Sequence, residues 1–240
     1  MKPEIIIDSW EGRHNKSDYR SRLEKAKLYK DQSTICVVPT RGVITAKVVQ
    51  NWLGMMTPMN QKFTRIFMIG LEVGDAYSQA VDAILDSPEL SKWKYMLTLE
   101  EDNMVPPDGL IKLIESIGDY DAVGGLYWTK GEEGQPMCYG RPGQVPINFI
   151  PQIPEVDTLT PCNGLGMGFT LFKIDSLKKM KEKIKGPLFV TKQVYEPGKG
   201  VHCYTQDLWH YQQGVEMGLK YACDSRVRVG HYDANTDIVW

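Results

Sequence analysis

The chain has 240 residues, enough to bury a full hydrophobic core and better suited to one domain than to two. With 42% hydrophobic and 24% charged residues, its composition is that of an ordinary soluble globule. A net charge of −2 and a pI near 6.1 argue against nucleic-acid binding through bulk electrostatics, although a locally basic cleft stays compatible with them.

Five cysteines (Cys36, Cys138, Cys162, Cys203 and Cys223) are scattered without a CxxC pair, the pattern of reduced thiols rather than of a disulfide frame or zinc site. No apolar run approaches a membrane span and the N-terminus lacks a signal peptide's apolar core, so the expected location is the cytoplasm, the host's if the protein is viral. The Asn15-Lys16-Ser17 sequon is then a chance match.

In chain order, residues 1–32 read as a polar extension in which Ile5, Ile6 and Ile7 make a short strand or anchor and residues 17–30 a charged outer helix. The domain proper is expected over 33–240. It begins with a β-branched run at 33–39, suited to a buried parallel strand. The turn at Thr40-Arg41-Gly42 leads into a helix whose expected inner side carries Val43, Ala46, Val49 and Leu53. A first strand followed by a polar turn and a helix is where nucleotide-binding α/β folds receive their ligand, although a plain loop with a solvated Arg41 reads equally well.

A second strand at 64–69 precedes a helix at 75–85 with Ala76, Ala80, Val81 and Ile84 on one face. A third strand, 95–99, runs into Glu100-Glu101-Asp102. After Pro106-Pro107 a helix starts near Asp108 and carries Leu110, Leu113, Ile114 and Ile117 on one face. The repeated strand–helix alternation predicts a doubly wound α/β domain with a mostly parallel sheet. In extended backbone Glu100 and Asp102 point the same way, at the carboxyl edge where such sheets bind ligands. Two carboxylates there repel unless a cation or a proton lies between them, and hard oxygen ligands suit Mg²⁺ or Mn²⁺. An acidic loop with Asp108 as helix cap is the plainer alternative, but it leaves the triplet without a role.

Further on, the strand at 120–128 carries Gly124-Gly125, which implies close backbone approach or room for a ligand, and exits through Tyr127 and Trp128. Residues 131–135 form a polar, Gly-rich loop, and the proline-rich stretch 142–161 an irregular connector. Gly164, Gly166 and Gly168 then alternate into an apolar strand, leaving a bare strand face. No Lys-Ser/Thr follows and no helix opens directly, so neither a phosphate-binding loop nor a dinucleotide fingerprint fits. A helix at 174–184, a glycine-containing flexible lid at 195–204 and a helix opening at Gln206-Asp207 come next. The last strand, 221–229, ends at Gly230-His231-Tyr232-Asp233.

Taken together, the strand ending in Glu100-x-Asp102 with Pro-Pro-Asp-x-Leu after it, the Gly124-Gly125 strand, the Gly166-x-Gly168-Phe169 segment, Gln206-Asp207 and the late His231 resemble the GT-A glycosyltransferases, nucleotide-sugar-dependent enzymes of the small phage or bacterial, family 2-like type. The resemblance spans roughly residues 33–233, and Glu100 stands where most members have Asp. It implies a GT-A (Rossmann-like) fold and transfer of a sugar from a UDP- or GDP-sugar to an acceptor hydroxyl on a glycan, a protein or a modified DNA base. It implies Mn²⁺ or Mg²⁺ held by Glu100, Asp102 and His231, and Asp207 as the base. Donor contacts are implied for Pro39, Thr40, Arg41, Glu72, Glu101, Gly125 and Gly166, and acceptor contacts for Tyr127, Trp128 and Trp209. The aromatic residues read equally as core, and Asp207 as a helix-start carboxylate favoured by the helix dipole. Two other classes stay open: a nucleotidyltransferase acting on a sugar phosphate, and a noncatalytic sugar- or nucleotide-binding module. Against the first, no Gly-rich, Lys-bearing signature follows the first strand.

Overall fold

The computed structural model describes residues 5–9, 30–198 and 200–240. Most of the charged helix expected at 17–30, and the sequon at Asn15, lie outside these residues. The main sheet has eight strands in the order β1-β3-β2-β4-β10-β6-β13-β8. These are β1 (Ile5–Ser9), β2 (Thr34–Thr40), β3 (Phe63–Ile69), β4 (Tyr95–Leu99), β6 (Ala122–Leu126), β8 (Leu159–Cys162), β10 (Phe169–Lys173) and β13 (Tyr221–Arg228). Strands β3, β2, β4, β6 and β13 run in one direction, while β1, β10 and β8 run against them. The fold is therefore the Rossmann-like α/β domain the strand–helix alternation predicts, with a mostly parallel central sheet flanked by helices.

Strand β2 is buried along its whole length, as its β-branched run requires. Its side chains alternate between two apolar layers, with Ile35 and Val37 in one and Cys36 and Val38 in the other. The first layer packs against α2 (Val73–Asp86), α4 (Ile174–Lys183) and α5 (Gln206–Glu216). The second packs against α1 (Ala46–Leu53) and α3 (Gly109–Ser116), the latter through Leu110 and Leu113. Among the described residues, no helix is long and apolar enough to cross a membrane.

Four expectations need correction. Residues 5–9 pair antiparallel with β3, so part of the predicted extension belongs to the sheet. Helix α1 starts at Ala46 and buries Val48 and Trp52, leaving Val43 and Leu53 exposed at 83% and 82% and Ala46 and Val49 on the outer side as well. Among the described residues, no layer covers the apolar residues at 43, 49 and 53. The stretch read as a lid is a hairpin of β11 (Lys192–Glu196) and β12 (Gly200–Tyr204). Asp108 stands at the start of α3, but its carboxylate pairs with Lys112 at 2.9 Å instead of capping backbone N–H groups.

Smaller strands complete the chain: β5 (Asn103–Met104), β7 (Cys138–Tyr139), β9 (Gly164–Leu165), β14 (Gly230–Asp233) and β15 (Ile238–Val239). Strand β14 pairs with β5 on one side and β15 on the other. Helix α1 holds β5 from outside the sheet: Trp52 Nε1 donates to Asn103 O at 2.8 Å, and Val105 N donates to Asn51 Oδ1 at 2.6 Å. The segment just after the acidic triplet is thereby fixed by both a helix and a C-terminal strand.

Candidate functional site

The three carboxylates that follow β4 turn in three directions. Glu101 faces the end of β2, where it accepts from Thr40 Oγ1 (2.6 Å), Arg41 N (2.9 Å) and Arg41 Nε (2.5 Å). It thus staples the first βα turn to the acidic turn, and Arg41 is a solvated side chain, 89% exposed, that pairs with Glu101. Glu100 turns inward and accepts from the Tyr77 hydroxyl at 3.3 Å. Burial, followed by the negative charges of Asp102 and Asp207, pushes its carboxyl up to about 7. Asp102 meets Lys130 Nζ at 2.5 Å and His231 Nε2 at 3.4 Å, both through Oδ2. Burial works to raise its pKa, but the hydrogen bonds from His231 and Lys130 outweigh that and bring it to about 2.

Strand pairing brings His231 to this point. In the β14–β5 ladder His231 lies opposite Asn103, and Tyr232 N donates to Asp102 O at 2.8 Å. The other ring nitrogen, Nδ1, sits 2.9 Å from Trp128 O. A carbonyl only accepts, so Nδ1 carries a proton; Nε2 donates to Asp102 only when it is protonated as well, and in the neutral ring it turns a lone pair toward that residue instead. That lone pair faces a carboxylate oxygen, an arrangement that calls for a proton or a cation between them. A histidine fixed by its second nitrogen on a backbone carbonyl is also how metal-ligating imidazoles are oriented.

The expected triad of Glu100, Asp102 and His231 is not assembled as such. Among the described residues, no group of three or more His, Cys, Asp or Glu side chains is placed to hold a metal ion. Glu100 is directed to Tyr77 and Glu101 to Arg41, which leaves Asp102 and His231 as the converging pair. One carboxylate and one imidazole fit a divalent cation whose remaining positions go to water and substrate oxygens.

Asp207 lies in the first turn of α5, only 6% exposed. Its Oδ1 accepts from the Thr205 hydroxyl and from Leu208 N at 2.8 Å. Burial raises its pKa, and its negative charge in turn helps raise that of Glu100. One turn along, His210 is buried and stacked on Phe189 with ring centroids 4.2 Å apart. Desolvation pushes this histidine down to about 3, so it is a neutral core residue that seats the start of α5. Trp209 stays partly exposed, with Lys192 Nζ 4.7 Å above its ring.

Two cavities open beside the acidic turn. One, of about 310 Å³, lies between Pro39, Thr40, Arg41, Leu71, Val73 and Glu100 to Asp102. The other, of about 430 Å³, shares Arg41, Glu101 and Asp102 and adds Lys130, Tyr232 and Asn235. A third cavity of about 450 Å³, beside Ser33, Lys62 and Trp93, lies at the opposite ends of the strands and carries none of these groups.

Several predicted site residues are placed otherwise than expected. Tyr127 is 1% exposed, its hydroxyl accepts from Gly168 N at 2.8 Å, and its ring therefore has no face open to a sugar. That same ring covers Gly166, where a Cβ would come within 2.1 Å of the Tyr127 hydroxyl, while a Cβ at Gly164 would meet Phe149 and one at Gly168 would meet Asn103, so the alternating glycines make room for protein side chains rather than for substrate. Gly125 is buried in the sheet, and a Cβ there would stand 2.8 Å from Val229 and 2.9 Å from Val227. Glu72 caps α2 by accepting from Gly74 N and Asp75 N, with Thr191 Oγ1 on its other oxygen. Trp128 is half-buried and contributes the carbonyl that orients His231. Reading the sequence missed Lys130, since a lysine in a polar loop gives no sign of its partner.

The fold and site thus define an α/β domain with a carboxylate–imidazole pair at the carboxyl edge of its parallel strands. Among solved structures it is similar to A197 from STIV, with a TM-score of 0.57 and 17% identity, over 86% of this chain and 92% of that one. At that identity the likeness extends to the fold alone. No protein-family model matches the sequence, and no curated protein matches it.

Proposed function

We propose that the protein is a metal-dependent glycosyltransferase that moves a sugar from a UDP- or GDP-sugar to an acceptor hydroxyl. The observation that carries this reading is Asp102 Oδ2 facing His231 Nε2 at 3.4 Å, at the rim of a cavity walled by the end of β2. The crevice outside the carboxyl ends of parallel strands is where open α/β sheets bind nucleotides. Pro39, Thr40 and Arg41 line it and would receive the base and ribose, with the Arg41–Glu101 staple holding their turn in place.

Asp102 and His231 would hold Mn²⁺ or Mg²⁺, which when bound draws charge off the departing diphosphate as a Lewis acid. Asp207 would face the acceptor. As the acceptor oxygen bonds to the anomeric carbon, the carbon–phosphate oxygen bond breaks and its electron pair leaves on the nucleoside diphosphate. The hydroxyl proton passes to the Asp207 carboxylate, whose raised affinity for protons suits a general base. Acceptors compatible with this site include a glycan, a protein side chain and a modified DNA base.

The test is a panel of sugar nucleotides with Mn²⁺, read by thermal shift and donor hydrolysis in wild type and Asp102→Ala. One donor should stabilise the wild type only with metal, and the variant should lose that response. Absence of any shift across the panel would remove the reading.

A further inference from the structure

We propose that Lys130 is a resident counter-ion for Asp102 that gives way when a metal and a diphosphate enter together, so that the free protein disfavours the metal alone. This rests on reading Asp102 and His231 as the cation site. The Lys130 ammonium lies 2.5 Å from Asp102 Oδ2, the same oxygen that faces His231 Nε2. One carboxylate oxygen cannot keep an ammonium at that distance and also ligate a divalent ion beside it, because the two cations would repel at close range. Entry of a metal therefore requires Lys130 to leave.

The surroundings say where it goes. Lys130 is carried by a loop closed by paired bonds between Thr129 and Gln135, at 2.9 Å each, and by Gly134 N to Gly131 O at 3.0 Å. That loop follows directly on Trp128, whose carbonyl holds His231, so the ammonium and the imidazole hang from one piece of backbone. Its side chain is 33% exposed and lines the cavity of about 430 Å³ with Arg41, leaving it free to turn outward. Two other carboxylates stand near it: Glu101 is already occupied by Arg41 and Thr40, and Asp233, which lines the same cavity, accepts from Asn235 N and Thr236 Oγ1 at 2.9 Å each. The anion left to receive the displaced ammonium is the donor's diphosphate. Lys130 is thus a positioning residue with opposite effects on two ligands: it weakens binding of the metal alone and strengthens binding of a nucleoside diphosphate without metal.

The experiment titrates Mn²⁺ alone, followed by electron paramagnetic resonance, and UDP and GDP alone, followed by calorimetry, into wild type, Lys130→Met, Lys130→Arg and Asp102→Asn. Lys130→Met should bind Mn²⁺ about tenfold more tightly than wild type, a gain set by removing a partly screened charge at contact distance. It should bind whichever nucleotide the wild type prefers more weakly, and Lys130→Arg should restore both affinities. Unchanged Mn²⁺ affinity in Lys130→Met, with binding lost in Asp102→Asn, would overturn the proposal while leaving the metal site standing. If no variant and no wild-type sample bound Mn²⁺, the site reading would fall and this proposal with it.

Discussion

Asp102 and His231 are joined through the backbone as well as through their side chains: Tyr232 N donates to Asp102 O at 2.8 Å, while His231 Nε2 stands 3.4 Å from Asp102 Oδ2. The ladder continues outward, since His231 and Trp240 exchange N–H···O bonds at 3.0 Å each. The imidazole is therefore set by a strand pairing on both sides and by Trp128 O on its far nitrogen. Such fixing costs little reorganisation when a ligand binds.

Removing the imidazole should therefore abolish a ligand without disturbing the strand. His231→Ala is expected to lower Mn²⁺ affinity in the presence of donor by at least about tenfold, in the range that loss of ligand-orienting groups produces. Paramagnetic titration with and without the sugar nucleotide checks it. An unchanged affinity would place the metal, if any, elsewhere.

Asp207 offers a different signature. Asp207→Asn keeps the hydrogen bond from Leu208 N but cannot take up a proton, so turnover should fall by about 10²–10⁴-fold. The KM for donor should stay within a factor of about two, because the group acts on the acceptor. An equal loss of donor binding and turnover would show that the carboxylate merely secures the start of α5.

Glu100 gives a stability prediction with a definite sign. Its carboxyl is raised from 4.5 to about 7, chiefly by burial and then by Asp102 and Asp207. The folded protein thus keeps a proton that the unfolded chain has already released, and stability is lost as pH rises from 4.5 to 7. Glu100→Gln removes that penalty. At pH 8 the variant should be more stable than wild type by on the order of 3 kcal/mol, and at pH 4 the two should be nearly equal. His210, held near 3 by burial, pulls stability the other way on the acid side, so denaturant curves must be compared at equal pH. A metal ion bound beside Glu100 would shrink the difference at pH 8.

Much of the architecture was legible because strand and helix periods were strong. The β2 run, the acidic end of β4 and the α2 face at Ala76, Ala80 and Ile84 lie where alternation and helical spacing put them. The order of the motifs also brought Asp102 and His231 to one place, although they are far apart in the chain. What was not legible depended on partners. Tyr127 looked available because nothing in its own segment shows that Gly166 leaves a slot for its ring. Lys130 looked like a loop residue because a salt bridge has no sequence period. Glu100, Glu101 and Asp102 adjoin in the sequence as one acidic run, whereas the tight turn after Leu99 splits them among Tyr77, Arg41 and Lys130.

The phase of α1 shows the same limit and gives the last prediction. From the sequence, Val43, Val49 and Leu53 make an apolar stripe, but the helix begins only at Ala46, behind Thr45, whose hydroxyl caps no backbone group. With that start, Val48 and Trp52 lie one turn apart on the inner face, and Trp52 reaches Asn103 O next to the site. Trp52→Ala removes a large side chain that is only 7% exposed and leaves a buried carbonyl without its donor. It should cost about 3–5 kcal/mol, and because α1 holds β5, it should also loosen Asp102 and weaken metal binding. Leu53→Ala, on a side chain 82% exposed, should stay within about 0.5 kcal/mol of wild type. Paired denaturant unfolding of the two variants measures this directly. A larger loss at Leu53 than at Trp52 would put the stripe visible in the sequence, rather than Trp52, against the sheet.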